Sequence, residues 1–390
     1  KHMSEVTENP IDNPVEEKEV VKDSFLKHVG IAFFTALMGL ISPALVLRRF
    51  QRDYDLPAAW ANTYLAVTSV VFFVFLGLFA VRCIKYFDSV KKEFNHPIKR
   101  NFFPAISICL IIICLGMCDL WEEEHSESGE YNGWYYTCLV FCYVGVVSHT
   151  ALSFMIIMEW LSPNVLGAQF VNPTNLIPPV ANIIMGLSLA KTEQTELGWF
   201  FWASGVIMYL GIFAMSLTLM VTGKSMPPKL RTTIFIWAAP GALAFIAYSA
   251  LTGGTWDVMA RLFCYSGLYF WFFAMVFFFV RIAPWMLKKF EVTWWAITFP
   301  SASTAVSTFD LAKKMEKEYG AGNNTIFKWI SWFVAATDFV FVALCLVASV
   351  VQGFRGNLFV AEGEGPKPKQ MLKAVSEVPP SEEGAAEAKV

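Results

Sequence analysis

Residues 232–251 read TTIFIWAAPGALAFIAYSAL. The stretch carries no charged side chain and matches the roughly 20 residues a helix needs to cross the hydrocarbon core of a bilayer. Its apolar run is continuous, whereas a barrel strand alternates apolar and polar residues. Pro240 stands near its middle, flanked by Ala238, Ala239, Gly241 and Ala242. The reading is a membrane helix of small residues interrupted by proline. Proline removes a backbone hydrogen bond and crowds the preceding turn, and in lipid the freed carbonyl must find a partner in protein or water.

Working outward, ten such spans are expected, near 29–47, 60–87, 102–119, 134–161, 175–191, 198–222, 232–251, 260–283, 293–309 and 327–353. The fold class is therefore an all-α polytopic membrane protein. Composition agrees: 56% of the 390 residues are hydrophobic, 36 are Phe and only 16% are charged, against roughly 25% charged in soluble domains. This excludes an ordinary soluble domain and whole-chain disorder. A net charge of −2, with no basic tract interleaved with aromatics, leaves no nucleic-acid partner to expect.

The odd spans each contain or begin with proline, at Pro43, Pro104, Pro178 with Pro179, Pro240 and Pro300, while the apolar runs of the even spans have none. The near-constant spacing reads as five related helical hairpins. Turning the five breaks inward, toward a shared wet cavity, is the simplest way to satisfy them. Span nine repeats the small-residue pattern in Ser301-Ala302-Ser303-Thr304-Ala305; small residues let helices approach closely and also leave room for a conduit. The even spans are bulkier, as in Phe270-Trp271-Phe272-Phe273, and suit lipid or subunit contact.

No Asp, Glu, Lys, Arg or His falls within the apolar cores of the odd spans. Coupled pumps usually place ionisable groups on their path. A lining without fixed charge binds ions weakly and releases them fast, as conduction requires. Selection would then rest on dehydration, diameter, hydroxyls such as Thr298 and Ser301, and the positive ends of broken helices.

The basic residues set the orientation. Arg82, Lys85, Lys91, Lys92, Lys99 and Arg100 follow span two, and Lys224, Lys229 and Arg231 follow span six. Arg281, Lys288 and Lys289 follow span eight. The acidic, Lys- and Arg-free loop after span three then lies outside, and both termini are cytoplasmic. Arg48, Arg49 and Arg52, and Lys313, Lys314 and Lys317, run against the rule. Residues 1–27, with seven acids and four lysines, and 354–390 read as disordered tails around a transmembrane channel domain at 28–353. Lys91, Lys92, Lys99 and Arg100 are candidates for meeting anionic membrane lipid. Asn323-Asn324-Thr325 matches a glycosylation acceptor.

Four stretches carry a family resemblance. They are Cys83-Ile84-Lys85-Tyr86-Phe87 through His96-Pro97 to Asn101-Phe102-Phe103; Asn172-Pro173-Thr174 with Asn182; Ala238-Ala239-Pro240; and Trp294-Trp295-Ala296-Ile297-Thr298-Phe299-Pro300. Over about residues 29 to 360 the chain resembles the plant slow-type anion channels and their bacterial relatives, the tellurite-resistance (TehA)–dicarboxylate transporter family. The resemblance implies ten helices in five hairpins, with the odd helices around a central pore in each protomer, and a homotrimer with three separate pores. It implies that Phe299 is the aromatic plug of that pore. Plant members carry Glu-Leu-Lys on span four, where this chain has Ser153-Phe154-Met155. A regulatory kinase, a partner for long terminal arms, finds no support in these short tails.

The expected function is a passive anion channel in the plasma membrane conducting small inorganic anions, chloride and nitrate first, and gated by Phe299. Gly39, Pro43, Asn182, Pro240, Thr298 and Ser301 are the expected pore lining. A proton-linked malate or sulfite carrier of the same family is the alternative, and a scaffold or receptor without transport is a second. Nucleophile, zinc-hydrolase and phosphate-loop motifs have no credible context, so neither enzyme chemistry nor a cofactor is expected. His149, Glu159 and Asp338 lie inside even spans and are candidates for tuning the gate. The cysteines Cys109, Cys114, Cys118, Cys138 and Cys142 read as small buried residues. A Cys118–Cys138 disulfide stays open, and without His or acid ligands no zinc site is expected.

Overall fold

A computed structural model describes residues 25–128, 130–162, 171–222, 228–286, 290–320, 322 and 324–355. Both expected tails, apart from Phe25–Lys27 and the residues up to Arg355, lie outside the described residues, as do Lys224, Lys288, Lys289 and Asn323.

Each expected span coincides with helix. The helices are α1 (Ala32–Ile41), α2 (Pro43–Tyr54), α3 (Ala58–Lys85), α4 (Phe87–Asn95), α5 (Ala105–Ser128) and α6 (Gly133–Leu161). They continue as α7 (Ile177–Lys191), α8 (Thr195–Val221), α9 (Ala238–Leu251), α10 (Val258–Phe277), α11 (Ala283–Met286), α12 (Thr298–Tyr319) and α13 (Thr325–Phe354). Among the described residues, eight spans are long and apolar enough to cross a membrane. The fifth and ninth are not among them. α7 is only 15 residues long, and α12 is rich in Ser and Thr and ends in Lys and Glu. Both are buried over most of their length, so their side chains need not satisfy lipid.

The breaks have a common form. A 3-10 segment leads into the α-helix at Lys99–Phe102, Pro173–Leu176, Pro228–Trp237 and Val292–Ile297. The prolines therefore sit at or beside the first turn of an α segment, where an N–H has no intrahelical acceptor anyway. At three of the breaks the freed carbonyl finds a partner in the protein and needs no wet cavity. The Gly39 carbonyl, which Pro43 cannot serve, accepts from the Ser42 hydroxyl at 3.1 Å. The Arg100 carbonyl, four residues before Pro104, accepts from the Phe103 N–H at 3.2 Å. The Thr174 carbonyl accepts from the Ile177 N–H.

Four of the five inner helices pack mainly on the outer helix that follows them: α5 on α6, α7 on α8, α9 on α10 and α12 on α13. The inner helices also touch one another in a closed cycle, α1–α5–α7–α9–α12 and back to α1 through α12 and its 3-10 lead. Burial follows the same division. Along the first, third and seventh spans 67%, 89% and 78% of residues are buried, against 22–44% along the even ones. Large exposed apolar residues such as Phe73, Val147, Phe200, Ile207, Phe279 and Trp329 belong to the outer helices. Glycine sets the tightest contacts: a Cβ on Gly241 would lie 2.6 Å from the Gly267 nitrogen of α10, and one on Gly267 2.5 Å from the Ala242 nitrogen.

Candidate functional site

A cavity of about 30 Å³, room for a water or two, lies between the five inner elements where the 3-10 segments give way to α-helix. Its wall takes Thr35 and Met38 from α1, Ile108 from α5, Ile177 and Val180 from α7, Ile236 and Ala239 around the start of α9, and Ala296, Phe299 and Pro300 around the start of α12. None of these side chains is ionisable. The Thr35 hydroxyl donates to the Ala32 carbonyl at 2.6 Å, and that of Thr233, also in the wall, to the Leu230 carbonyl at 2.5 Å. An ion here therefore meets no fixed charge and few free donors. The α segments α7, α9 and α12 all begin at this level, so the positive ends of three helix dipoles bear on it.

The structure brings Phe299 to the cavity and sets the other six expected lining residues beside or away from it. Phe299 is 3% exposed. Thr298 turns toward α1, where a Cβ on Gly39 would fall inside the Thr298 hydroxyl, and its Oγ1 donates to the Trp295 carbonyl at 2.8 Å. Ser301 turns toward α10, accepting from the Trp271 indole N–H at 3.0 Å and donating to the Ile297 carbonyl at 2.8 Å. Two neighbours of the Phe299 side chain thus fix the helix that carries it. Pro43 opens α2 and Pro240 follows the wall residue Ala239. Asn182 points to α8: its Nδ2 lies 3.8 Å from the Met208 sulfur, and a Cβ on Gly205 would meet its own Cβ at 2.9 Å.

Beyond Phe299 the same face of α12 carries Ser303, Val306 and Asp310, at i+4, i+7 and i+11. Exposure rises from 3% at Phe299 to 5% at Ser303 and 7% at Val306, and the Asp310 side chain reaches 14%. At the end of the acidic loop, charges from several inner helices pair. Arg49 grips Asp310 in two-pronged fashion, at 2.8 and 2.9 Å. Arg52 faces Asp119 at 3.4 Å and Lys191 faces Glu122 at 2.8 Å; Lys313 pairs with Asp53. Arg48 is buried, its Nε donating to the Gly116 carbonyl at 2.9 Å. Of the basic residues that run against the orientation rule, Arg49, Arg52 and Lys313 are thus paired with carboxylates, while Arg48 and Lys314 donate to backbone carbonyls.

The three intramembrane candidates lie elsewhere. His149 is fully buried, with Nδ1 3.3 Å from the Ser107 hydroxyl. Glu159 pairs with the buried Arg100 at 3.0 Å at the basic end. Asp338 is fully buried in α13, and neither oxygen has a hydrogen-bond partner. All eight cysteines are free.

Sequence reasoning missed Thr35, Met38, Ile177, Val180, Ile236 and Ala239. One signal for three wall residues was present in the repeat. Ile177, Ala239 and Phe299 each precede the proline of their span, and all three reach the cavity. Only the third is aromatic.

Residues 28–350 match a family profile described as voltage-dependent anion channel (SLAC1). The chain is similar to the S-type anion channel SLAH3 of Arabidopsis thaliana, with 26% identity over 359 residues, covering 89% of this chain and 53% of that protein. It thus spans about half the length of SLAH3. It is also similar to the S-type anion channel SLAH1 of the same plant, with 25% identity over 90% of each chain. A third relative is the tellurite resistance protein TehA homolog of Haemophilus influenzae, 24% identical over 84% of this chain and 92% of that one.

Proposed function

Because the chain belongs to the SLAC1 family of voltage-dependent anion channels, we propose that it is a passive channel for small inorganic anions, chloride and nitrate first, with Phe299 as its gate. The observation that carries this reading is the placement of Phe299. Its ring stands in the wall of an uncharged cavity between the five inner elements.

The mechanism follows from the geometry. At the mouth, Arg49, Arg52, Lys191 and Lys313 are each paired with a carboxylate, so an entering anion meets neutralised ion pairs that do not hold it. Deeper in, the ion meets hydroxyls and helix-end dipoles rather than cations, so it is bound weakly and leaves quickly. Dehydration then sets selectivity, favouring large, weakly hydrated monovalent anions. Displacement of the Phe299 ring opens the path. No ionisable side chain lines the cavity among the described residues, which favours passive flow over proton-linked carriage of malate or sulfite.

The wide apolar faces of the even helices suit membrane lipid and the contacts of a homotrimer with one pore per protomer. The basic residues 82–100 support a reading with that end of the bundle, and both termini, on the cytoplasmic side, and the plasma membrane is the proposed site.

Phe299→Ala in planar bilayers tests the gate. Basal anion current should rise roughly tenfold, equivalent to taking about 1.4 kcal/mol off the conduction barrier, and reversal potentials should follow successive chloride and nitrate gradients. Current at the wild-type level, with protein incorporation matched, would refute the gate; current that ignores the anion gradients would refute the anion channel itself.

A further inference from the structure

The outer half of α5 and the start of α6 carry two cysteine pairs at i, i+4 spacing, Cys114 with Cys118 and Cys138 with Cys142. Helical spacing of four puts each pair on one face. α5 and α6 run side by side, and the two faces meet. The sulfur atoms of Cys114, Cys118 and Cys138 all lie within 4.8 Å of one another. The three residues are at most 1% exposed. Cys142 adjoins the group, its sulfur 3.3 Å from the Ser188 hydroxyl of α7.

We propose that Cys114, Cys118 and Cys138 form a binding site for a soft, thiophilic d10 monovalent cation of the Cu(I) type. Three thiolates around one ion, at a metal–sulfur distance of about 2.3 Å, stand about 4 Å apart, so the observed spacing needs only a small contraction. The donor set is sulfur only. Thiolate sulfur selects Cu(I) and Zn(II) over hard cations, which take oxygen. Structural Zn(II) takes four ligands in a tetrahedron, and here only three sulfurs share mutual reach, which suits a three-coordinate monovalent ion. The site is separate from the conduit: Cys114 and Cys138 are directed across the α5–α6 seam, where each thiol faces the other's carbonyl, at 3.2 and 3.7 Å. The cluster lies at the acidic end of the bundle, since Cys118 immediately precedes Asp119, which pairs with Arg52. Binding converts thiols to metal thiolates and releases their protons to solvent, with no change of oxidation state, so affinity rises with pH. Occupancy ties an inner-ring helix to its outer partner.

The test uses the full chain in detergent under anaerobic conditions, with Cu(I) held reduced by ascorbate and delivered from a bicinchoninate complex. Wild type should take up one Cu(I) per chain with a thiolate-to-copper charge-transfer band in the ultraviolet, more tightly at pH 8 than at pH 6. Cys118→Ser and Cys138→Ser should lose that ion, while Cys345→Ser, remote from the cluster, should keep it. X-ray absorption on the wild-type protein should show sulfur neighbours only, a readout that does not depend on the variants folding. Absence of uptake by wild type, retention by Cys138→Ser, nitrogen or oxygen in the metal shell, or a Cys114–Cys138 disulfide in the freshly purified protein would each overturn the site.

Discussion

The ring of Phe299 is positioned by residues that do not touch the cavity. Thr298 on one side faces Gly39 across the α1–α12 seam, and Ser301 on the other accepts the Trp271 indole. At the Thr298 contact the helices are separated by a hydroxyl and a hydrogen atom. Gly39→Ala should therefore force the two helices apart, at about 1–3 kcal/mol, the usual cost of overpacking. Adding Thr298→Ala should recover part of the loss, since the Thr298 hydroxyl is the nearest obstacle. Thermal unfolding of the single and double variants measures both; equal unfolding temperatures in Gly39→Ala and wild type would show that this contact is not tight. Much of this residue-scale detail was hidden in the sequence. Phe299 was legible through the motif around it, but Thr35, Met38 and Val180 are ordinary membrane residues whose role depends on which face of each helix turns inward. Asn182 was assigned to the pore by proximity to a motif, and it faces α8 because Gly205 gives it room there.

At the scale of the element, the proline-marked break does two jobs. In four of the five inner spans a 3-10 segment leads into the α segment, and α7, α9 and α12 start a fresh dipole at the level of the cavity. The prolines were legible because their period and exclusion from even spans are properties of the sequence itself. How their carbonyls are satisfied was not, since it depends on a Ser42 rotamer and on 3-10 bonds such as Phe103 to Arg100. Outer helices begin with more conventional chemistry. Asp257 caps α10, accepting from the Ala260 N–H at 2.9 Å and from the Tyr248 hydroxyl at 2.5 Å. The Tyr248 hydroxyl, then the Ala260 amide, hold its carboxyl below the ordinary value of 3.8. A depressed carboxylate contributes stability that is complete above that ordinary value and is lost as pH falls through the folded one. Asp257→Ala should lower the unfolding temperature at pH 7, and the gap from wild type should close as the pH is taken well below 4. A gap independent of pH would assign the effect to packing instead.

For the whole molecule, the governing feature is the separation of two rings. Inner helices are buried because they meet one another, and outer helices present their bulk to the surroundings. The composition announced a membrane protein, and the alternation of proline-bearing and proline-free spans announced the rings. The charged mouth was the part misread. Arg49, Arg52 and Lys313 looked like exceptions to the orientation rule because their partners are distant in sequence: Asp310 is 261 residues from Arg49. Once paired, they no longer act as free loop charges. Arg49→Gln should reduce anion conductance most at low ionic strength and little at high, because salt screens the repulsion from the unpaired Asp310 over about 10 Å at 0.1 M. A loss of conductance independent of salt would mean that Arg49 holds α2 against α12 and does not act by neutralising Asp310.

The central claim, a conduit through the inner ring closed at Phe299, is tested most directly by access to Ser303, one turn further along the same face of α12. A Ser303→Cys variant in a bilayer is exposed to a membrane-impermeant anionic thiosulfonate from each side in turn, and reaction is scored against the parent protein. With Phe299 in place the cysteine should react only from the side of the acidic loop; with Phe299→Ala added it should react from both. Reaction from neither side, or from both sides with Phe299 intact, would contradict the account.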